Sequence, residues 1–141
     1  MTIGVLVMGI IAAAGGLRYS AALQTAGVAQ AARRLATDIE TARHAARSRR
    51  QAVTISFNTT NHTYQLVGLV DPDRPSATST TVKLNAYSPS ITLSSASFGG
   101  DASLQFNAFG VPDSGGTAQI AWGTTSQTVT VAAGTGSVSV P

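Results

Sequence analysis

The chain has 141 residues, 43% hydrophobic and 11% charged, with no cysteine. This excludes wholesale disorder, disulfide frameworks, thiolate zinc sites and thiol catalysis, and the length suits one compact domain with an appendage. The net charge of +3 is uneven: residues 1–50 hold seven arginines against Asp38 and Glu40, whereas residues 51–141 hold Arg74 and Lys83 against four aspartates, so the basicity belongs to the first segment alone.

The first predicted element is the greasy run "MTIGVLVMGIIAAAGGL". From Ile3 to Leu17 it has no polar face, and a segment apolar all round must be surrounded by lipid or by protein. Crossing a bilayer takes about 20 residues at ~1.5 Å each, so the run is slightly short. Arg18 and Tyr19 at its end fit an interfacial anchor, a snorkelling cation and a ring with a polar tip. A secretory signal peptide is a second reading: "AAAGG" would serve as its cleavage site, but no positive charge precedes the run. Small residues, among them the pair Gly9 and Ala13 four apart, allow helix backbones to approach closely. The candidate membrane- or filament-core residues are Ile3, Val5, Leu6, Val7, Gly9, Ile10, Ile11, Ala13 and Leu17.

Helical periodicity then continues to about Gln51, with Gly15, Gly16 and Gly27 as the only break signals. Val28, Ala31, Ala32, Leu35, Ile39, Ala42 and Ala46 recur at three and four and form one narrow stripe. Its alanines let something broad approach, and Val28, Ala32, Leu35, Ile39 and Ala42 are the candidate helix-to-sheet contacts. Arg33, Arg34, Glu40, Arg43, Arg47 and Arg50 fall mainly elsewhere.

Beyond Gln51 the composition turns to Val, Thr, Ser and Gly, with all five prolines. "AVTISF" alternates, with Val53, Ile55 and Phe57 on one face; "HTYQLVGL" follows the turn "NTTN"; and "TTVKLNAY" places Val82 and Leu84 together. "ITLSSASF", "SLQFNAFG", "AQIAW", "QTVTVAA" and "GSVSVP" follow, separated by turn signals such as "PDSGG" and "AGTG". Short alternating runs of this kind predict antiparallel sheets with one wet face. The expected fold is α+β: a long N-terminal helix over 1–51, with an apolar part 3–17 and an amphipathic part 18–51, packed on a β domain over 52–141.

No enzyme signature accompanies these elements. His44 and His62 have no third partner in sequence for a triad or metal site. Asp71 and Asp73 lie in a loop that lacks the glutamate and glycine of a calcium site. Asn58 and Asn61 match the glycosylation pattern but read as turn residues. No metal and no cofactor is expected. Arg43, Arg47, Arg49 and Arg50 form the sharpest charged feature, and Arg43, Arg47 and Arg50 share a face by spacing. They suit phosphate or DNA contact, or equally a solvated helix end whose cations meet the C-terminal dipole. No aromatic residue lies among them in sequence to stack on bases. The loops 71–79 and 110–117 are the candidate binding loops.

Three passages, in order, resemble one family. "AARRLATDIETARHAARSRRQAVTISFN" resembles the helix-to-first-strand passage of the H-type minor pseudopilins of type II secretion, the FimT-like pilins. "LQFNAFGVPDSGGTAQIAW" resembles the family's Phe- and Gly-marked passage, and "QTVTVAAGTGSVSV" its closing hairpin. The likeness covers nearly the whole chain, although Leu17 stands where the family often has proline. The family's processing site, a glycine followed by Phe-Thr-Leu-Ile-Glu, is expected just ahead of Met1.

The resemblance implies a pilin-like fold and a structural, non-enzymatic subunit that seeds or caps a periplasmic pseudopilus, with movement powered by a separate ATPase. It implies other pseudopilins, inner-membrane lipid and the inner-membrane assembly platform as partners. The chain is expected to cross the inner membrane once, with the β domain in the periplasm. The alternatives are a DNA-binding minor pilin acting in DNA uptake and an exported β-sandwich binding module behind a signal peptide.

Overall fold

The computed structural model describes residues 2–69, 73–86 and 88–141, with side chains from Ala22 onward. One helix, α1 (Thr2–Arg49), runs without interruption through all three glycine positions. At about 1.5 Å per residue it is roughly 70 Å long. Among its described side chains the first buried is Val28, and from there Ala31, Ala32, Leu35, Ile39, Ala42 and Ala46 are each no more than 2% exposed. Three- and four-residue spacing keeps these side chains on one face. Four of the seven are alanines, so the helix axis sits close to the sheets it covers.

The helix ends at Arg49, two residues short of Gln51. The Gln51 N–H donates to the Ala46 carbonyl at 3.2 Å, and Arg50 takes φ +52°. This is a Schellman-type end, in which the left-handed residue is usually glycine. An arginine in that conformation costs about 1 kcal/mol or more.

Two four-stranded antiparallel sheets follow. β1 (Val53–Asn58), β2 (Thr63–Val67), β3 (Ser79–Lys83) and β5 (Ser103–Phe106) form the first, in the order β3-β2-β1-β5. β4 (Thr92–Phe98), β6 (Gly116–Trp122), β7 (Thr125–Val131) and β8 (Val138–Ser139) form the second, in the order β4-β6-β7-β8. The register sets Ile55 opposite both Leu66 and Leu104, and Phe57 opposite Tyr64. Period-two alternation thus sends Val53, Ile55 and Phe57 to the core while their neighbours stay wetter. Leu84 departs from the expected strand: it belongs to a 3-10 turn, Leu84–Ala86, and is fully buried there. α1 packs on β1 and β5 of one sheet and on β6, β7 and β8 of the other, so the stripe closes the core of both.

The sheets are joined through aromatic and polar contacts. Phe57 stacks on Phe98 of the second sheet at 5.1 Å between ring centroids and tilts against Tyr64 at 6.2 Å. His62, at φ +55°, accepts the Leu93 N–H at Nδ1 and the Leu84 N–H at its carbonyl. This histidine pins the β1–β2 turn to the second sheet. Asn58 Oδ1 accepts from the Thr60 and Asn61 N–H groups, so Asn58 builds the same turn.

A buried polar tie connects helix to sheet. Tyr64 is fully buried, and its hydroxyl donates to Asp38 Oδ2 at 2.5 Å, an oxygen that also accepts from Arg34 Nε at 3.3 Å. Nearer the N-terminal end, Gly27 lies against Trp122. A Cβ there would stand 2.9 Å from the ring edge, closer than real contacts permit.

Two outcomes follow from these contacts. Tyr64→Phe is expected to lower stability by about 2 kcal/mol, because it strips a charge-assisted hydrogen bond from a nearly enclosed carboxylate; denaturant titration reads this directly, and an unchanged midpoint would count against the tie. Gly27→Ala should gain about 1 kcal/mol of helix propensity yet lose at least as much by displacing Trp122. Trp122 is the only tryptophan, so its emission should shift to the red. A stabilised variant with unshifted emission would disprove the close contact.

Candidate interaction surfaces

The fold places its distinctive surfaces at the two ends of the packed part of α1, about 30 Å apart by helical rise between Gly27 and Arg47. At the N-terminal end, Leu23, Ala26, Gly27, Pro89, Ile91 and Trp122 line a mainly apolar groove of about 500 Å³. Leu23 is 47% exposed on its lip. Arg34 also lines the groove, and Arg33 stands on the adjoining helix face.

At the other end the four arginines of the charged feature do not act as one patch. Arg43 is mostly covered: its Nη1 reaches Glu40 Oε2 at 3.4 Å, its Nε is buried without a hydrogen bond, and its stem lies against Gly136. Arg49 turns the other way and donates to the Gly68 carbonyl at 3.3 Å. Arg47 and Arg50 come together, and with Ala108 and Phe109 they line one shallow depression. The sequence separates Phe109 from these arginines by some sixty positions, and only tertiary structure makes them neighbours.

Phe109 is 79% exposed, the most exposed of the large hydrophobic side chains described. Its turn is nonetheless stiff. Asn107 Oδ1 accepts from both the Phe109 and Val111 N–H groups, the Asn107 N–H donates to the Val111 carbonyl, and the Gly110 N–H donates to the Asn107 carbonyl. Gly110 is required twice: it holds φ +76°, and a Cβ there would lie 2.5 Å from Arg47 Cγ. The Phe-and-Gly passage of the sequence thus has a physical content. Phe106 is buried in the core, and Gly110 lets the Arg47 stem lie across the turn.

Catalytic and metal-binding chemistry finds no assembled set among the described residues. No three His, Cys, Asp or Glu side chains gather to hold an ion. His44 is exposed, with its Nε2 3.9 Å from Glu40 Oε2, and His62 is spent on the turn. Asp71 of the loop 71–79 lies outside the described residues. So do the side chains of the apolar segment 3–17, from Ile3 to Leu17, and with them every candidate membrane- or filament-core contact. Among the described residues no helix is long and apolar enough to cross a membrane. Of the candidate helix-to-sheet contacts, Val28, Ala32, Leu35, Ile39 and Ala42 are all fully buried. The periodicity gave no sign of the Asp38–Tyr64 tie, because an acidic residue beside a stripe looks solvated until its partner strand is in place.

Comparison with known proteins puts this architecture in context. No curated protein sequence matches the chain. Two crystal structures of the type IV minor pilin FimU of Pseudomonas aeruginosa strain PAO1 share its fold. The first has a TM-score of 0.60 at 16% identity and covers 81% of this chain and 87% of FimU; the second has a TM-score of 0.55 at 17% identity and covers 79% and 90%. The family model described as type II transport protein GspH matches residues 31–136, which run from the buried helix stripe to the last hairpin. The chain belongs to the GspH family and has a pilin-like fold.

Proposed function

We propose that the chain is a minor pseudopilin, a subunit that initiates or caps the periplasmic filament of a type II secretion system. The observation that carries this reading is the mismatch between helix and domain. α1 begins at Thr2, yet its buried stripe begins at Val28, and most of the length in front reads in sequence as apolar on every side. A helix of that kind is at home among acyl chains before assembly and among other helices afterwards. In this reading residues 3–17 cross the inner membrane or enter the filament core, the β domain lies in the periplasm, and the partners are other pseudopilins, lipid and the assembly platform. The work is structural. GspH membership favours secretion over a pilus, and the FimU likeness supports the fold that both systems use.

A DNA-binding minor pilin would draw on Arg47 and Arg50. A nucleic-acid strand needs a continuous basic track, and here the track is broken by exposed carboxylates: Asp113 in the same loop as Phe109, and Asp101 beside the Gly99 turn that abuts Ser114.

Ile10→Asp tests the anchor. A carboxylate at mid-span costs on the order of 3 kcal/mol, so washed membranes should lose the chain and export of secreted enzymes should collapse. Full membrane retention would refute the anchor. A deletion strain that secretes normally but loses surface pili would move the chain to the pilus system.

A further inference from the structure

We propose that Phe109, Arg47 and Arg50 form a docking knob for an acidic, apolar-lined surface on a different filament subunit. The inference rests on the filament reading and adds the chemistry of the partner. An aromatic ring left 79% exposed is an unsatisfied apolar group, and a turn locked by four hydrogen bonds holds it out at little entropic cost on binding. Aromatic and arginine side chains set side by side are the usual anchors of protein interfaces. Among the described residues neither Arg47 nor Arg50 makes an ion pair or a hydrogen bond, whereas Arg34 and Arg43 are paired. Arg50 also holds a left-handed backbone where glycine would be easier. The two unpaired cations flanking the ring call for carboxylates on the partner.

Charge selects a different subunit over a second copy. The copy stacked beyond this end along the helix direction would present its N-terminal end, where Arg33 and Arg34 flank the apolar groove. Asp38 is engaged by Tyr64 and Arg34, and Glu40 by Arg43. Of the exposed aspartates, Asp113 lies in the knob's own loop and Asp101 in the turn that abuts Ser114. Self-stacking would set guanidinium against guanidinium, and like charges brought together exclude the wrong partner. Nucleic acid is disfavoured at the same place by those aspartates.

The test uses the full chain in the cell that makes it, with photo-crosslinking benzoylphenylalanine at position 109. The expected product joins a different pilin-like subunit at a segment bearing Asp or Glu. The double variant Arg47→Glu/Arg50→Glu, both positions being exposed, should keep its melting temperature and lose crosslink yield by about tenfold or more. Changing the mapped carboxylate of the partner to Arg should restore the yield. A crosslink to a second copy, to nucleic acid or to lipid, no crosslink at all, or no effect of charge reversal would overturn the proposal. Absence of any crosslink from position 109 in the chain with Arg47 and Arg50 intact, with secretion still dependent on the Ile10 segment, would sink the knob and leave the filament reading standing. Secretion that ignores the Ile10 segment would sink the filament reading itself.

Discussion

Everything in this molecule follows from one helix having two different solvation problems. Its C-terminal half is apolar on a single stripe, and the stripe finds its match in the chain's own sheets. Its N-terminal part is apolar on all sides by sequence, and a segment of that kind must be surrounded by lipid or by protein. Hydrophobic burial is proportional to area, so a bare apolar rod is driven to find other rods or lipid. The β domain holds the amphipathic half through the stripe from Val28 to Ala46.

The close fit of that half depends on small side chains. Alanines at positions 31, 32, 42 and 46 let the backbone approach, and the larger Val28, Leu35 and Ile39 fill the space between. Gly27 extends the same logic to the flat face of Trp122. At the opposite end Gly110 permits an arginine stem to cross a loop. Small residues thus mark each place where helix and β domain come closest, and the features most exposed for contact stand beside them.

Much of this was legible in the residues. Three-and-four spacing predicted the buried stripe, period-two alternation predicted Val53, Ile55 and Phe57 as an inward face, and the turn signals separated the strands. What stayed hidden depends on long-range placement. Leu84 looked like a strand residue because its apolar neighbour lies two positions away, yet the chain tightens there into a 3-10 turn. Asp38 looked solvated because its partner comes from β2. The four arginines looked like one patch because helical spacing says nothing about what the neighbouring loops cover, and burial of Arg43, diversion of Arg49 and arrival of Phe109 divided them.

The unbroken course of α1 carries a mechanical consequence. In the filament role proposed for this chain, pulling would act along the rods. Force applied to the leading part of this helix meets no joint before Val28, and it arrives parallel to the interface with the sheets. The seven buried residues from Val28 to Ala46 are therefore loaded together in shear, with the Tyr64–Asp38 tie set among them, and are not peeled away one at a time. A cap held in that manner yields only when all seven contacts give way together.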